Sequence, residues 1–282
     1  MEVSHPLRVH LSVSIVLHKS SRELLQRTLL SLHHSAEVAQ QAGCVSQVSV
    51  DLVDNSADQE YQQHIIRALA AGPQSDFFRV NYSAQPLNRG FGPGHNSVIE
   101  SLDSDFHLVL NPDAELADDT LRIGLSCMEA DPGIALLSPR VLGSDGDQEF
   151  LCKRYPTVLA LLLRGFAPNF ARRWFRKRLD RYEMRDVCSG DRQADVVLAS
   201  GCFMLVRSAA LRAVGGFNED YFLYFEDFDL SLRLCGQGRL VFNPAMRIVH
   251  HGGYAADKGW QHVKYFIKSG ITFFNQHGWR WI

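Results

Sequence analysis

Between Val9 and Leu110 short apolar runs alternate with helical patterns, and this alternation restricts the chain to a small set of folds. Val9 to Leu17 is a buried strand, and Ser20-Ser21 then precede a helical spacing of Leu24, Leu25, Thr28, Leu29 and Leu32. Val48 to Val53 is a second strand, ending in Asp54-Asn55-Ser56. A helix around Glu60 to Ala71 and a short strand at Phe78 to Tyr82 follow. Gly90 to Gly94 opens another helix, and the strand Phe106 to Leu110 runs into Asn111-Pro112-Asp113. Strands alternating with helices predict an α/β fold, a mostly parallel sheet covered on both faces. Ligands in such sheets gather at the carboxyl ends of the strands. Asp54 and Asp113 each stand just past a strand end, where that rule points.

The second half is less regular. Ile134 to Ser138 reads as a strand, Gly143 to Asp147 as a turn, and Thr157 to Arg181 as helical. Within that helical stretch, apolar Leu159 to Leu163 gives way to Arg172, Arg173, Arg176, Lys177, Arg178 and Arg181. Asp195 to Val206 returns to the sheet, Leu240 to Asn243 and Arg247 to His250 are short strands, and a last helix spans roughly Asp257 to His277. No linker or repeat interrupts the 282 residues, so one domain with a helical C-terminal elaboration is expected. A formal net charge of −2 gives no global pull toward nucleic acid. The six cysteines are scattered without a CxxC pair, as for thiols in a reducing compartment. No secretory signal is visible, and the apolar run Val158 to Leu163 is far shorter than a membrane span. A cytoplasmic protein is the expectation.

Chemistry concentrates in a few places. Tyr221-Phe222-Leu223-Tyr224-Phe225-Glu226-Asp227-Phe228-Asp229 sets three carboxylates among aromatic rings at the start of a helical pattern. Apolar company and adjacent like charge both raise a carboxylate's pKa, which suits a general base; acidic capping of a helix is the plainer reading. Asn111-Pro112-Asp113 after an apolar strand can hold a hard cation or simply turn the chain. Val249-His250-His251-Gly252-Gly253 offers imidazoles and close backbone approach. Asn88-Arg89-Gly90-Phe91-Gly92-Pro93-Gly94-His95-Asn96 is glycine-rich yet fits neither the Walker pattern nor GxGxxG. Asp54 can accept hydrogen bonds from a base or ribose, or cap a helix.

Taken in order, these segments resemble the family 2 glycosyltransferases with the GT-A fold, in particular their rhamnosyltransferase-like branch. The features that carry the resemblance are VSIVLHKS, VDNSAD, LNRGFGPGHN, LVLNPDAEL, ASGCFMLVRSAALRAVGGFNEDYFLYFEDFDLSLRL and VHHGG, from about residue 9 to residue 255. The resemblance implies a nucleotide-sugar-binding half over 9–115, an acceptor and catalytic half over 116–255, and a C-terminal helix over 256–282. It implies donor contacts from Asp54, Asn88, Arg89, Asn96 and Asn111. Asp113 corresponds to the last acid of the family's Asp-x-Asp metal motif, with Asn111 in its first position. His250 looks like the family's late metal or diphosphate histidine, with His251 competing for the role. Asp227 matches the general base and Glu226 its neighbour at the acceptor.

The implied reaction is inverting transfer of a sugar from a nucleoside diphosphate donor to a hydroxyl, helped by Mg2+ or Mn2+. The branch favours dTDP-L-rhamnose, with UDP-sugars next, and a cell-envelope glycan or lipid-linked acceptor. A nucleotidyltransferase would carry a basic glycine-rich signature near its N-terminus, which Val13 to Ser21 lacks. A non-catalytic nucleotide-sugar or carbohydrate-binding protein is the remaining rival. The basic stretch Arg172 to Arg181, with Trp174, Phe175 and Leu179, reads either as a peripheral contact for anionic lipid or a lipid-linked acceptor at the inner membrane, or as a solvated helix face. Trp260, Val263, Phe266, Ile267, Ile271 and Phe274 recur at helical spacing, which predicts core packing.

Overall fold

A computed structural model of the chain describes residues 9–70, 72–166, 169–252 and 259–282; for 166, 169, 171 and 172 only the backbone is considered. The alternation expected up to Leu110 is present: β1 (His10–Leu17), α1 (Arg22–Gln41), β2 (Gln47–Asp54), α2 (Gln59–Ala70), β3 (Phe78–Ala84), α3 (Phe91–Ile99) and β4 (Phe106–Leu110). Then come β5 (Ala114–Leu116), α4 (Thr120–Ala130), β6 (Ile134–Gly143) and β7 (Gln148–Glu149). Four short helices follow, α5 (Val158–Phe166), α6 (Asn169–Trp174), α7 (Arg176–Tyr182) and α8 (Arg185–Cys188). The chain closes with β8 (Ala194–Val196), β9 (Phe203–Arg207), α9 (Ser208–Ala213), α10 (Glu226–Leu234), β10 (Arg239–His250) and α11 (Trp260–His277).

One sheet runs β3-β2-β1-β4-β9-β6-β10-β5, with β7 beside β6 and β8 beside β10. β1 pairs parallel with β2 and β4, β2 with β3, and β6 with β10, so the long strands share a direction. β9 runs against both its neighbours, β4 and β6. The sheet interior is a continuous apolar core from Leu11, Val13 and Ile15 through Leu108 and Leu110 to Phe203 and Leu205, all fully buried. α1 covers it because Leu25, Leu29 and Leu32 fall on one face, and Ser21 caps the helix by accepting the Leu24 N–H at 3.3 Å.

Three expectations change. The expected single helix over 157–181 is interrupted at Phe175, which separates α6 from α7; residues 167 and 168, between α5 and α6, lie outside the described residues. The two late strands are one, β10, carried past Pro244 by a register shift between Asn243 and Arg247. Of the apolar stripe on α11, Phe274 is buried and Phe266 packs beside it, whereas Trp260, Ile267 and Ile271 are exposed. The expected start of that helix at Asp257, together with Gly253 and Tyr254, lies outside the described residues.

Candidate active site

Strand pairing, not sequence proximity, assembles the site. β5 folds back from the end of β4 and pairs antiparallel with the end of β10, setting Ala114 opposite His250. The His251 N–H donates to the Asp113 carbonyl at 2.9 Å. That register puts Asp113 Oδ1 3.5 Å from His250 Nε2, with the side-chain amide of Asn111 3.3 Å from the same nitrogen. The Glu149 carboxylate, on β7, lies 3.3 Å from His250 Nδ1. Burial works against charge on His250, but the carboxylates of Asp113 and Glu149 outweigh it and raise its pKa to about 9. Gly252 is required here: a Cβ at that position would sit 2.3 Å from Asp113 Oδ2. His251 turns elsewhere, with Nε2 2.5 Å from Glu115, which also pairs with Arg27 at 2.7 Å. Of the two imidazoles, His250 is the one beside Asp113.

Asp227 reaches the same rim through β9. Because β9 is antiparallel to β4, its first residue, Phe203, stands opposite the last residue of β4, Leu110. The turn entering β9 therefore meets the turn leaving β4. The Asn111 N–H donates to the Cys202 carbonyl at 3.0 Å, and the next residue back, Gly201, donates its N–H to Asp227 Oδ2 at 3.1 Å. The Cys202 thiol is pushed up by burial and, less strongly, by Asp113, Glu149 and Asp227 together. Acids remote in the chain thus flank one turn at the carboxyl end of β4, where ligands of α/β sheets bind.

The carboxylates at the head of α10 are aimed by an unusual backbone. Tyr224 and Phe225 both take left-handed φ, +71° and +67°. For bulky L-residues this costs roughly 1–2 kcal/mol each, and such geometry clusters at functional sites. Packing holds it: Phe225 contacts Phe228, Phe266 and Phe273, and the Tyr224 hydroxyl meets His262 Nδ1 at 2.9 Å. Glu226 is buried, and its Oε2 has no hydrogen-bond partner among the described residues. Burial, then the adjacent Asp227, pushes the Glu226 pKa well up. Burial raises Asp227 to about 6, against the opposing N–H groups of Gly201 and Phe228, leaving it mainly ionised at pH 7. One acid and one base stand side by side.

The residues expected at the donor divide. Asn88 accepts the Gly90 N–H at 2.9 Å and its amide lies 3.4 Å from His18 Nδ1, at an exposed loop. Arg89 pairs with Glu219 at 2.8 Å and stays half exposed. Gly90, at φ +108°, brings this loop onto Phe222, whose carbonyl accepts the Phe91 N–H at 3.1 Å. Asp54 is fully buried, accepting the Ser56 N–H at 2.8 Å and the Tyr82 hydroxyl at 2.6 Å. Asn96 is also buried; its amide donates to the Phe217 carbonyl and Glu219, and its oxygen accepts the Phe217 N–H at 2.8 Å. Both polar side-chain atoms of Asn96 serve to fix the 217–219 segment.

Sequence reasoning missed Glu149, Gly201 and Lys153. Glu149 follows a turn with no pattern of its own, and only the β6–β7 pairing carries it to His250. Lys153 is buried, donates to the Phe150 carbonyl, and is pulled down to about 7 by burial; its charge favours ionised Asp227. Gly201 lay inside a quoted motif, but its N–H contact with Asp227 needs the fold to be seen.

The sequence model described as Glycosyl transferase family 2 matches residues 12–213. The chain is 26% identical over 242 residues to an N-acetylglucosaminyl-diphospho-decaprenol L-rhamnosyltransferase of Mycobacterium tuberculosis, covering 83% of this chain and 74% of that one. It is 28% identical over 176 residues to rhamnosyltransferase WbbL of Escherichia coli, covering 57% of this chain and 61% of that one. Among solved structures, GalNAc-T7 with UDP, GalNAc and Mn2+ superposes with a TM-score of 0.63 at 16% identity, over 95% of this chain and 48% of that one. Mannosyltransferase PcManGT of Pyrobaculum calidifontis, with GDP-Man and Mn2+, gives 0.62 at 16% identity, over 96% and 66%. The chain thus spans about half of GalNAc-T7 and about two thirds of PcManGT.

Proposed function

Because the chain belongs to glycosyl transferase family 2, and is therefore a glycosyltransferase, we propose that it moves L-rhamnose from dTDP-L-rhamnose to a hydroxyl of a lipid-linked, diphosphate-bearing cell-envelope glycan, with inversion. The donor sugar and the acceptor class follow the relatives named for L-rhamnosyl transfer. The observation that carries the reading is the meeting of Asp113 and His250 with Asp227 at the turns between Leu110 and Phe203.

Asp227 removes the proton of the acceptor hydroxyl as that oxygen attacks the anomeric carbon. Its carboxylate is held by two backbone N–H groups and is ionised at pH 7, as a base must be. Burial and the adjacent Asp227 favour the neutral form of Glu226, which has a hydrogen to give to the acceptor. A single displacement inverts the configuration and needs no covalent intermediate on the enzyme. Arg89 and Asn88, on the exposed loop beside Phe222, line the approach for the donor's diphosphate and sugar.

A divalent cation, Mg2+ or Mn2+, would fit Asp113 and His250, whose Oδ1 and Nε2 lie 3.5 Å apart, with the imidazole giving up its proton to solvent as the ion binds. Among the described residues no group of three or more His, Cys, Asp or Glu side chains can hold an ion alone. Two protein ligands completed by phosphate oxygens and water are how such ions are ordinarily bound beside nucleotides. When bound, the cation neutralises charge on the departing diphosphate.

Thermal unfolding with a panel of nucleotide sugars, with and without Mn2+ or Mg2+, tests the donor assignment. A donor at one hundred times its Kd stabilises the fold by about 2.7 kcal/mol. A melting-temperature rise with dTDP-L-rhamnose that requires the cation supports the reading. A preference for a UDP-sugar would replace the donor, and no response to any nucleotide sugar would overturn the transferase assignment.

A further inference from the structure

Three segments distant in sequence close around an open cleft of about 440 Å3 on the face formed by α5, α7 and the last residues of the chain. Its lining includes Arg154, Tyr155, Lys177, Arg178, Arg181 and Tyr182. The C-terminal segment is bound there by main-chain bonds: the Val158 N–H donates to the Arg280 carbonyl at 2.8 Å, and the Leu159 N–H to the Trp281 carbonyl at 3.1 Å. The lining is strongly cationic. Arg154 is balanced by a bidentate pair with Asp186, both contacts at 2.8 Å. No ion pair among the described residues engages the other three, Lys177, Arg178 and Arg181, and all three are exposed.

Two further features set this cleft apart from an ordinary solvated helix face. Ile282, in the lining, is exposed, and exposed aromatic rings stand on the elements that carry the lining: Trp281 next to Ile282, and Trp174, 89% exposed, just ahead of α7. Cations with exposed aromatic rings beside them match an amphiphile whose polar end is anionic and whose tail is apolar. Tyr182, in the cleft lining, is buried, and the Lys153 ammonium sits 6.0 Å from the centre of its ring.

Resting on the transferase reading above, we propose that this cleft binds the diphosphate of an isoprenoid-linked acceptor, with Lys177, Arg178 and Arg181 as the phosphate contacts. Arg presents a fork to phosphate oxygens and Lys a mobile point charge, so the trio can grip two linked phosphates from different sides. The isoprenoid tail then runs out past Trp174 and Trp281, and the acceptor sugar points inward over Tyr182 toward Asp227.

The probe is farnesyl diphosphate, titrated into the full chain at 0.15 M salt and followed by tryptophan fluorescence. Inorganic diphosphate and phosphatidylglycerol vesicles serve as the comparison arms. Wild type is expected to bind farnesyl diphosphate more tightly than inorganic diphosphate. The double substitution Lys177→Glu, Arg178→Glu, at exposed positions, is expected to weaken farnesyl diphosphate binding roughly tenfold or more while the melting temperature holds. Equal binding by wild type and the double variant overturns the proposal. So does a variant that loses vesicle binding and farnesyl diphosphate binding in parallel, which marks a general anionic-membrane face. Nucleotide-sugar binding is measured on the same samples. Its absence in wild type sinks the transferase reading, whereas its presence alongside failed farnesyl diphosphate binding sinks the cleft alone.

Discussion

The fully buried histidines of the core and the half-buried His250 at the rim live under opposite rules. Between β1, β4 and α3 a file of polar side chains crosses the core. Ser208 meets Ser104 at 3.0 Å, Ser104 meets Ser12 at 2.9 Å, and Ser12 meets His107 Nδ1 at 2.6 Å. His107 Nε2 continues to Ser14 at 2.8 Å, and Ser14 to His95 Nδ1 at 2.6 Å. Among the described residues no carboxylate is hydrogen-bonded into this file. Burial drives His107 down to about 3, and burial, then the neighbouring His107, holds His95 well below the ordinary range, so both stay neutral. At the rim, His250 sits between Asp113 and Glu149 and is raised to about 9 despite its burial. Desolvation acts on both sets. The partners decide the outcome: hydroxyls can share a neutral imidazole, whereas carboxylates hold a proton on it. The first set is scaffold and the second is poised to meet charge.

The contrast predicts that rim substitutions cost function and interior ones cost stability. The largest effect is expected from Asp227→Asn, with a transfer rate down about 10²–10⁴-fold and an unchanged or higher melting temperature, since a buried negative charge is removed. In wild type the rate should rise as pH passes through about 6, where Asp227 loses its proton; a flat pH–rate profile from pH 5 to 8 would break the base assignment. Gly252→Ala comes next. Its Cβ displaces the Asp113 carboxylate, so calorimetry should show cation-dependent donor binding weakened roughly 10–100-fold with the fold retained.

Ser14→Ala should do the reverse. It strips a hydroxyl from both His95 and His107, costing about 1–3 kcal/mol in a urea titration, with donor affinity intact. The smallest effect concerns acid. The unfolded chain protonates His107 near its ordinary pKa of about 6.5, and the native state does not do so until about 3. This contribution is therefore full above pH 6.5 and drains as pH falls toward 3. Between pH 7 and 5.5 it is about 1 kcal/mol, and His107→Gln should remove it from the urea midpoints.

The parallel half of the fold was legible because each element there carries its own signal. Strands β1 and β4 are mostly apolar, β2 alternates Val48, Val50 and Leu52 with polar residues, and Ser21 announces α1. The helix α4 was overlooked although Leu121, Leu125 and Met128 sit on its buried face. In the candidate site, Asp113 and Asp227 stood out through their immediate neighbours. Glu149 and Lys153 did not, because their importance arises only from cross-strand pairing and burial. The choice between His250 and His251 depended on a register, and in a strand a shift of one residue turns every side chain to the other face. Asn96 illustrates the converse: a polar residue in a glycine-rich loop invites a ligand role, yet its amide is committed to Phe217 and Glu219.

The link between the two halves of the site, from the Asn111 amide to the Cys202 carbonyl, is made entirely by main chain. Such a link is indifferent to which side chains stand at either residue. Substituting either residue leaves that hydrogen bond in place, so the spacing between the proposed cation pair and the proposed base is a property of the backbone rather than of the residues that surround it.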